Sequence, residues 1–223
     1  MSPQRALVTG GSGFIGSHLV DRLIRDGFEV AVVDNLITGD KDNLNSRASF
    51  HQLDICDPDL KKALEAEPPD IVFHTAAQAS VTKSVADPKT DATINVLGTL
   101  NLLSICSNLG IKRFIYSSTG GALYGNPEEM PCPEIHPIRP VSPYGASKYA
   151  AEVYIRAFAE SSGLKYTILR YSNVYGPRQD PFGAAGVIAI FAQRMLTNKK
   201  VTIFGSGEQE RDFVYISDVV EAN

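Results

Sequence analysis

Tyr144 and Lys148 stand four residues apart behind Ser142-Pro143, a spacing that could do proton chemistry. Ser142 suits a helix N-cap and Pro143 the first helical position, so the two side chains share one helix face. A free phenol, with a pKa of about 10, is a poor base at neutral pH. An ammonium close by favours the phenolate and lowers that pKa, as would a cationic ring beside it. Such a phenol can take a hydroxyl proton while the neighbouring carbon gives up hydride. Ser117-Ser118-Thr119 closes an apolar run, where open α/β sheets place their ligands, and one of these hydroxyls could share the proton with Tyr144. A surface pair on any helix has the same spacing, so the pair draws its meaning from the rest of the chain.

A hydride needs an acceptor, and the amino-terminal segment provides for one. Thr9-Gly10-Gly11-Ser12-Gly13-Phe14-Ile15-Gly16 joins a β-branched run to a helical pattern. Glycines there permit a tight turn, let the backbone approach a pyrophosphate and allow close helix–strand packing. The free N–H groups and positive dipole end of the following helix then hold the phosphates. Asp34 ends the second apolar run, where a carboxylate accepts both hydroxyls of an adenosine ribose and repels a 2′-phosphate. The combination predicts NAD rather than NADP.

The elements needed to position these groups are visible as alternating runs. Strands are expected over residues 5–9, 28–34, 49–53, 70–75, 112–117 and 165–170, with helices near 14–25, 58–67, 90–109 and 143–162. Continuously apolar strands imply burial on both faces, hence a parallel sheet between helix layers. The predicted fold class is α/β, a doubly wound parallel sheet of Rossmann type, with the start of a smaller substrate-binding domain. We place the NAD-binding domain at 1–171 and the substrate-binding region at 172–223, where the rhythm loosens and the final helical pattern lacks a stop signal, as in a truncated chain. Six of the 13 prolines fall between Asn126 and Tyr144, making that stretch a stiff loop, either a connector or a wall of the site.

Composition narrows the classes further. The 223 residues carry 21 Lys+Arg against 25 Asp+Glu, a net charge of −4 without a basic cluster, which argues against nucleic acid as a partner. No apolar run approaches the roughly 20 residues that cross a bilayer, and the amino terminus lacks a signal-peptide core, so no membrane is expected. Cys56, Cys106 and Cys132 are scattered, and His18, His51, His74 and His136 lack metal-ligand spacing. No metal is expected, and a reducing cytoplasm is the predicted location.

Taken in order, the glycine loop, Asp34-Asn35-Leu36, Asp54-Ile55, His74-Thr75-Ala76-Ala77, Asn95-Val96-x-Gly98-Thr99, Ser117-Ser118-Thr119 and Tyr144-x-x-x-Lys148 resemble the extended short-chain dehydrogenase/reductases. The similarity runs on through Arg170-Tyr171-Ser172-Asn173 and Arg211-Asp212-Phe213-Val214, and it is greatest to the NAD-dependent nucleotide-sugar epimerases. This resemblance implies 4-epimerisation of a UDP-hexose by transient oxidation and re-reduction at C4. It implies that Gly10, Gly13, Phe14, Ile15 and Gly16 hold the pyrophosphate, that Asp34 and Asn35 hold the ribose, and that Asp54 and Ile55 hold the adenine. Ala76, Ala77, Asn95 and Ser117 would line the nicotinamide half, with Tyr171 as a wall. Lys148 would hold the nicotinamide ribose and tune Tyr144, the base. Thr119 or Ser118 would meet the sugar, and Asn173 and Arg211 would grip the diphosphate of a UDP-sugar, although a turn residue and a surface ion pair are the plainer readings of those two. Related dehydratases and decarboxylases carry an acid shortly after the hydroxyl run, whereas Thr119-Gly120-Gly121-Ala122-Leu123 has none. A dehydratase or decarboxylase, or a catalytically incomplete NAD-binding fragment, is the alternative. The resemblance also implies a homodimer through the helices near 90–109 and 143–162, and leaves the sugar's substituent open.

Overall fold

The computed structural model describes residues 3–182 and 186–223; residues 1, 2 and 183–185, inside the two predicted domains, lie outside the described residues. Six strands, β1 (Arg5–Thr9), β2 (Glu29–Val33), β3 (Ser49–His51), β4 (Ile71–His74), β5 (Arg113–Thr119) and β6 (Lys165–Tyr171), form one sheet. All are parallel, in the order β3-β2-β1-β4-β5-β6. The order reverses between β1 and β4, so the ends of these two strands splay apart and open a crevice at the carboxyl edge.

Strand alternation divides the core in two. Leu7, Val72, Phe114 and Tyr116 point to one face and pack with α2 (Asp59–Ala66), α5 (Thr99–Leu109) and α7 (Pro143–Ser162) through Leu60, Leu102, Leu103, Ala151 and Ile155. Ala6, Val8, Val32 and Ile115 point to the other and meet α1 (Phe14–Arg25) through Leu19, Val20 and Leu23. Both faces are therefore dry, as the continuously apolar strands predict. The α7 helix begins as expected: Ser142 Oγ accepts the Gly145 N–H at 3.1 Å, Pro143 occupies the first turn, and Gly163 ends it at φ 73°.

Some elements differ from expectation. The helix predicted over 90–109 begins at Pro88 and has three parts: α4 (Pro88–Ala92), a π-helical turn (Thr93–Gly98) and α5. Gly98 lets this helix pack closely on Ile55, because a Cβ there would lie 2.6 Å from Ile55 Cδ1. The combined helix Pro88–Leu109 has the length and apolarity to cross a bilayer, contrary to the sequence estimate, and its Leu102, Leu103, Ile105 and Cys106 are buried in the sheet's core. Two short helices, α3 (Val81–Ala86) and α6 (Gly120–Leu123), were not anticipated. Beyond β6 the chain forms β7 (Asn173–Tyr175), α8 (Val187–Leu196) and β8 (Phe213–Tyr215), with β7 and β8 paired in parallel. It then returns as α9 (Ile216–Ala222), whose Ile216, Val219 and Val220 join the core over α1, across the boundary drawn at 171/172.

His74 ties β1 and β4 to the helix layer. Thr99 Oγ1 spends its proton on Asn95 O at 2.7 Å, so it accepts from His74 Nε2 at 3.0 Å, leaving Nδ1 to accept from Thr9 Oγ1 at 2.7 Å. The imidazole is neutral: burial, assisted by the Lys148 charge, pushes its pKa down to about 3. The unfolded chain takes up this proton near pH 6.5 and the folded chain only near 3. Stability is thus lost as pH falls through that window. His74→Gln is expected to flatten the slope of unfolding free energy between pH 6.5 and 4, by a total of roughly 2–4 kcal/mol relative to wild type, measured by urea denaturation.

Candidate active site

The turn after β1 is built by crowding. Gly10, at φ 72°, faces the backbone of the β4 exit, and a Cβ there would lie 2.7 Å from Ala76 N. A Cβ on Gly16 would run into the Gly10 carbonyl, and one on Gly11 would meet Val32 at 2.7 Å. Gly13 donates to Gly10 O at 3.0 Å and places the start of α1 at the crevice with no side chain capping it. The first N–H groups of α1, at Phe14 and Ile15, have no carbonyl one turn behind them and suit an anionic ligand.

Asp34 is buried at the end of β2, accepting the Ser12 N–H at 3.0 Å and the Leu36 N–H at 2.9 Å. Each carboxylate oxygen retains acceptor capacity for a ligand hydroxyl. Gly39 closes over it so tightly that a Cβ would lie 2.8 Å from Asp34 Oδ1, a role that sequence reading missed. Asn35 Nδ2 donates to Asp54 Oδ2 at 2.6 Å, and Ile55 packs under Gly98, so the four residues expected around the adenosine are neighbours. These donors and this glycine cradle fit a dinucleotide with free ribose hydroxyls.

At the other half of the crevice, expectations divide. The Ala76 N–H reaches Thr9 Oγ1 at 3.4 Å, and the Ser117 hydroxyl meets the Tyr171 hydroxyl at 3.1 Å, which in turn accepts from Asn223 Nδ2 at 2.8 Å. Asn95 is different. Its Oδ1 accepts the Gln78 N–H at 2.9 Å, and its Nδ2 donates to Gln78 O at 3.0 Å, Asp91 Oδ1 at 3.1 Å and Ser147 Oγ at 3.1 Å. Its amide is engaged inside the protein, clamping the loop after β4 to α7.

Tyr144 and Lys148 project from the first turns of α7 toward the carboxyl ends of β4 and β5. Lys148 is 3% exposed, with Nζ 4.4 Å from the centre of the Tyr116 ring. Burial pushes its pKa down to about 7, against the pull of Asp91 and Glu152. Tyr144 departs from the sequence expectation: burial, with the Asp91 charge, pushes its phenol up to about 12, and only the Thr119 hydroxyl works the other way. Lys148 does not offset this burial, so the ligand-free site holds a protonated phenol.

Ser118 is also corrected. It is buried, and its hydroxyl donates to Glu152 Oε1 at 2.6 Å. Glu152 is fully buried and further receives Arg170 at 3.0 and 2.7 Å and Arg156 at 3.0 Å. Burial alone would raise the Glu152 pKa, but these partners hold it below the usual carboxylate range. Arg170 reaches on to Tyr124 Oη at 2.6 Å and Glu134 O at 3.3 Å, fastening the proline-rich segment to the sheet. Buried His136 pins the same segment, accepting the Glu128 N–H at 3.1 Å. Thr119 is thus the hydroxyl beside Tyr144; it also caps α6, accepting the Ala122 N–H at 3.3 Å.

Asn173 and Arg211 meet only indirectly. Asn173 donates from N–H and from Nδ2 to Asp212 O, both at 3.0 Å, while exposed Arg211 donates to Glu210 O at 2.6 Å. The β7–β8 pairing sets Asn173 opposite Phe213, two residues beyond Arg211, with neither side chain aimed at Tyr144 by any described contact.

Comparison with known proteins agrees with this architecture. Residues 6–223 match the model of the NAD dependent epimerase/dehydratase family, and the chain belongs to that family. It is 52% identical over 217 residues to a putative UDP-glucose 4-epimerase of Methanocaldococcus jannaschii, covering 97% of this chain and 71% of that protein. The solved UDP-glucose 4-epimerase of Thermotoga maritima with UDP-glucose superposes with a TM-score of 0.97 at 54% identity, over 99% of this chain and 72% of the other. That of Thermus thermophilus in complex with NAD gives 0.93 at 49% identity, over 98% and 73%. NAD is accordingly the cofactor, and the doubly wound fold is that of this family.

Asp34→Asn keeps the shape of the carboxylate but loses its charge. It is expected to weaken NAD binding about tenfold and to narrow the preference over NADP, in fluorescence titrations with both dinucleotides.

Proposed function

We propose that this protein interconverts the C4 epimers of a UDP-hexose of the UDP-glucose/UDP-galactose type. The observation that carries the reading is the Tyr144 phenol, set between the Thr119 hydroxyl and a helix face bearing buried Lys148, at the edge of the sheet where the glycine turn opens. Gly10, Gly13, Phe14, Ile15 and Gly16 hold the pyrophosphate of NAD, Asp34 and Asn35 the adenosine ribose, and Asp54 and Ile55 border the adenine. Ala76, Ala77, Ser117 and Tyr171 border the nicotinamide half, and Lys148 reaches its ribose. Bound NAD supplies a hydride acceptor at C4 and then a hydride donor.

The chain's own work is proton transfer and orientation. Thr119 holds the 4-hydroxyl against Tyr144, which takes its proton as the carbon is oxidised and returns it after the sugar has turned over. Lys148 in its ammonium form stabilises the phenolate. Asn173 and Arg211 face the diphosphate once their exposed side chains swing from their present carbonyl partners; a guanidinium suits that group through its paired donors. Elimination of water or carbon dioxide is less well served. Residues 119–125 carry no acid, and the space beside Gly121 is open, with no atom within 4 Å of a would-be Cβ.

We further infer a cytoplasmic homodimer. Three free cysteines fit a reducing compartment, and burial pushes Cys56 up to about 11 and Cys106 up to about 12, which keeps both thiols unreactive. Leu97 on the π turn and Val153 and Tyr154 on α7 are exposed apolar side chains on two helices packed together. Leu97→Lys combined with Val153→Lys is expected to halve the mass seen by light scattering; an unchanged mass removes this face from consideration.

Tyr144→Phe is expected to lower the rate of UDP-glucose/UDP-galactose interconversion by about 10²–10⁴-fold while the protein still binds NAD. Interconversion by Tyr144→Phe at the wild-type rate would falsify the mechanism. A wild-type chain that binds NAD and shows no turnover would make it the incomplete fragment.

A further inference from the structure

Asp91 lies outside every motif that points to the site, yet its charge acts on the phenol and on the two ionisable side chains Lys148 and Tyr116. It sits on α4 and is 1% exposed. Its Oδ1 accepts Gln78 Nε2 at 2.8 Å and Asn95 Nδ2 at 3.1 Å, while its Oδ2 is buried without a hydrogen-bond partner among the described residues.

Neighbouring backbone groups fix which way those amides point. The Gln78 N–H takes Asn95 Oδ1 at 2.9 Å and the Ser80 N–H takes Gln78 Oε1 at 2.6 Å. Both amides therefore turn their NH₂ groups toward Asp91, and Oδ1 must accept from each. An acceptor held by two donors, with its twin oxygen unpaired in a dry interior, is costly unless a positive charge is close.

The groups packed around Lys148 leave one cation for this role. Glu152, on the same helix, is already neutralised by Arg170 and Arg156. From β5 comes the Tyr116 ring, from β4 the neutral His74, and from α5 the Thr99 hydroxyl that bonds His74, while α3 buries only Ser84 and its Lys83 is exposed. Tyr144 completes the set. Asp91 is the carboxylate without a guanidinium, and α4 packs directly on α7. The same carboxylate raises Lys148, Tyr144 and Tyr116.

We propose that Asp91 is a positioning residue for Lys148, its buried and unpaired Oδ2 acting without direct contact as the counter-charge that favours the ammonium form beside the phenol. The role rests on the epimerase reading, since only a charged Lys148 assists proton removal by Tyr144. Asp91 thereby has opposed effects: it sustains the ammonium and at the same time disfavours the phenolate. The Lys148 titration, rather than the rate, is the discriminating measurement.

The test follows the Cε resonance of Lys148 with pH in ligand-free protein labelled with [¹³C]lysine, assigned by its loss in Lys148→Met. Asp91→Asn keeps an acceptor for Gln78 and Asn95 but removes the charge. The Lys148 midpoint is expected to fall by about one pH unit, and Asp91→Glu is expected to restore most of it. A purely structural Asp91 would lower the melting temperature without moving the midpoint. If Asp91→Asn does not fold, Asp91→Ser, which still accepts from Asn95, gives the same reading. An unchanged midpoint in the folded variant overturns the proposal. Wild-type turnover tests the epimerase reading separately, because the titration needs neither substrate nor cofactor.

Discussion

Burying the ammonium of Lys148 is the constraint around which the crevice is organised. A lone charge in a protein interior is expensive, and the fold offsets part of that cost with an aromatic face from Tyr116 and the Asp91 carboxylate, Glu152 being largely taken up by its arginines. Docking α7 deeply enough to achieve this takes apolar contacts one and two turns on, at Ala151 and Ile155, against Phe114 and the α5 leucines. The same depth forces Glu152 into the core, where it survives because Arg170 and Arg156 flank it and Ser118 fills a remaining lone pair. The ion cluster at Glu152 and the Tyr144/Lys148 pair thus share one helix face, and the position of the second depends on the packing of the first.

The hydrogen bonds around His74 and Asn95 hold the opposite wall. Thr9, His74 and Thr99 run from β1 through β4 to α5, and Asn95 links the loop after β4 to Ser147, the neighbour of Lys148. Every hydroxyl and amide in these chains has its donors and acceptors assigned, which leaves little freedom for the crevice to relax. Gly10 contributes by subtraction, since any Cβ would push the β1 turn away from Ala76. Two loops are therefore fixed at a separation that side chains alone could not set.

Much of this was legible in the sequence because it is local. Strands with both faces apolar, a glycine turn and a Ser-Pro helix start act over a few residues, and β1 to β6, α1 and α7 follow from them. Ser118 was legible in principle as well. It shares strand parity with Phe114 and Tyr116, the residues that face the helix layer, so alternation already points it away from the crevice and leaves Thr119 for the site. Asp91 was not legible. A single acid in an apolar helix carries no local signal, and its surroundings come from Gln78, Asn95 and α7, elements joined only by folding. The three-residue strands β7 and β8 are too short to show a period, and they exist because each is the other's partner.

The opposed displacements of Tyr144 and Lys148 have a mechanistic consequence. With the phenol pushed up to about 12 and the amine down to about 7, the neutral pair is favoured over phenolate and ammonium in the ligand-free protein. Excluding water by filling the crevice deepens that preference, because desolvation is already the largest cause at both groups. Only added positive charge next to the phenol can reverse it, and the crevice that begins at the glycine turn is where the oxidised, cationic form of the cofactor belongs. On the proposed mechanism, base strength and hydride acceptance would then be coupled by electrostatics: Tyr144 would gain strength as a base beside the cationic ring and would lose it without that charge.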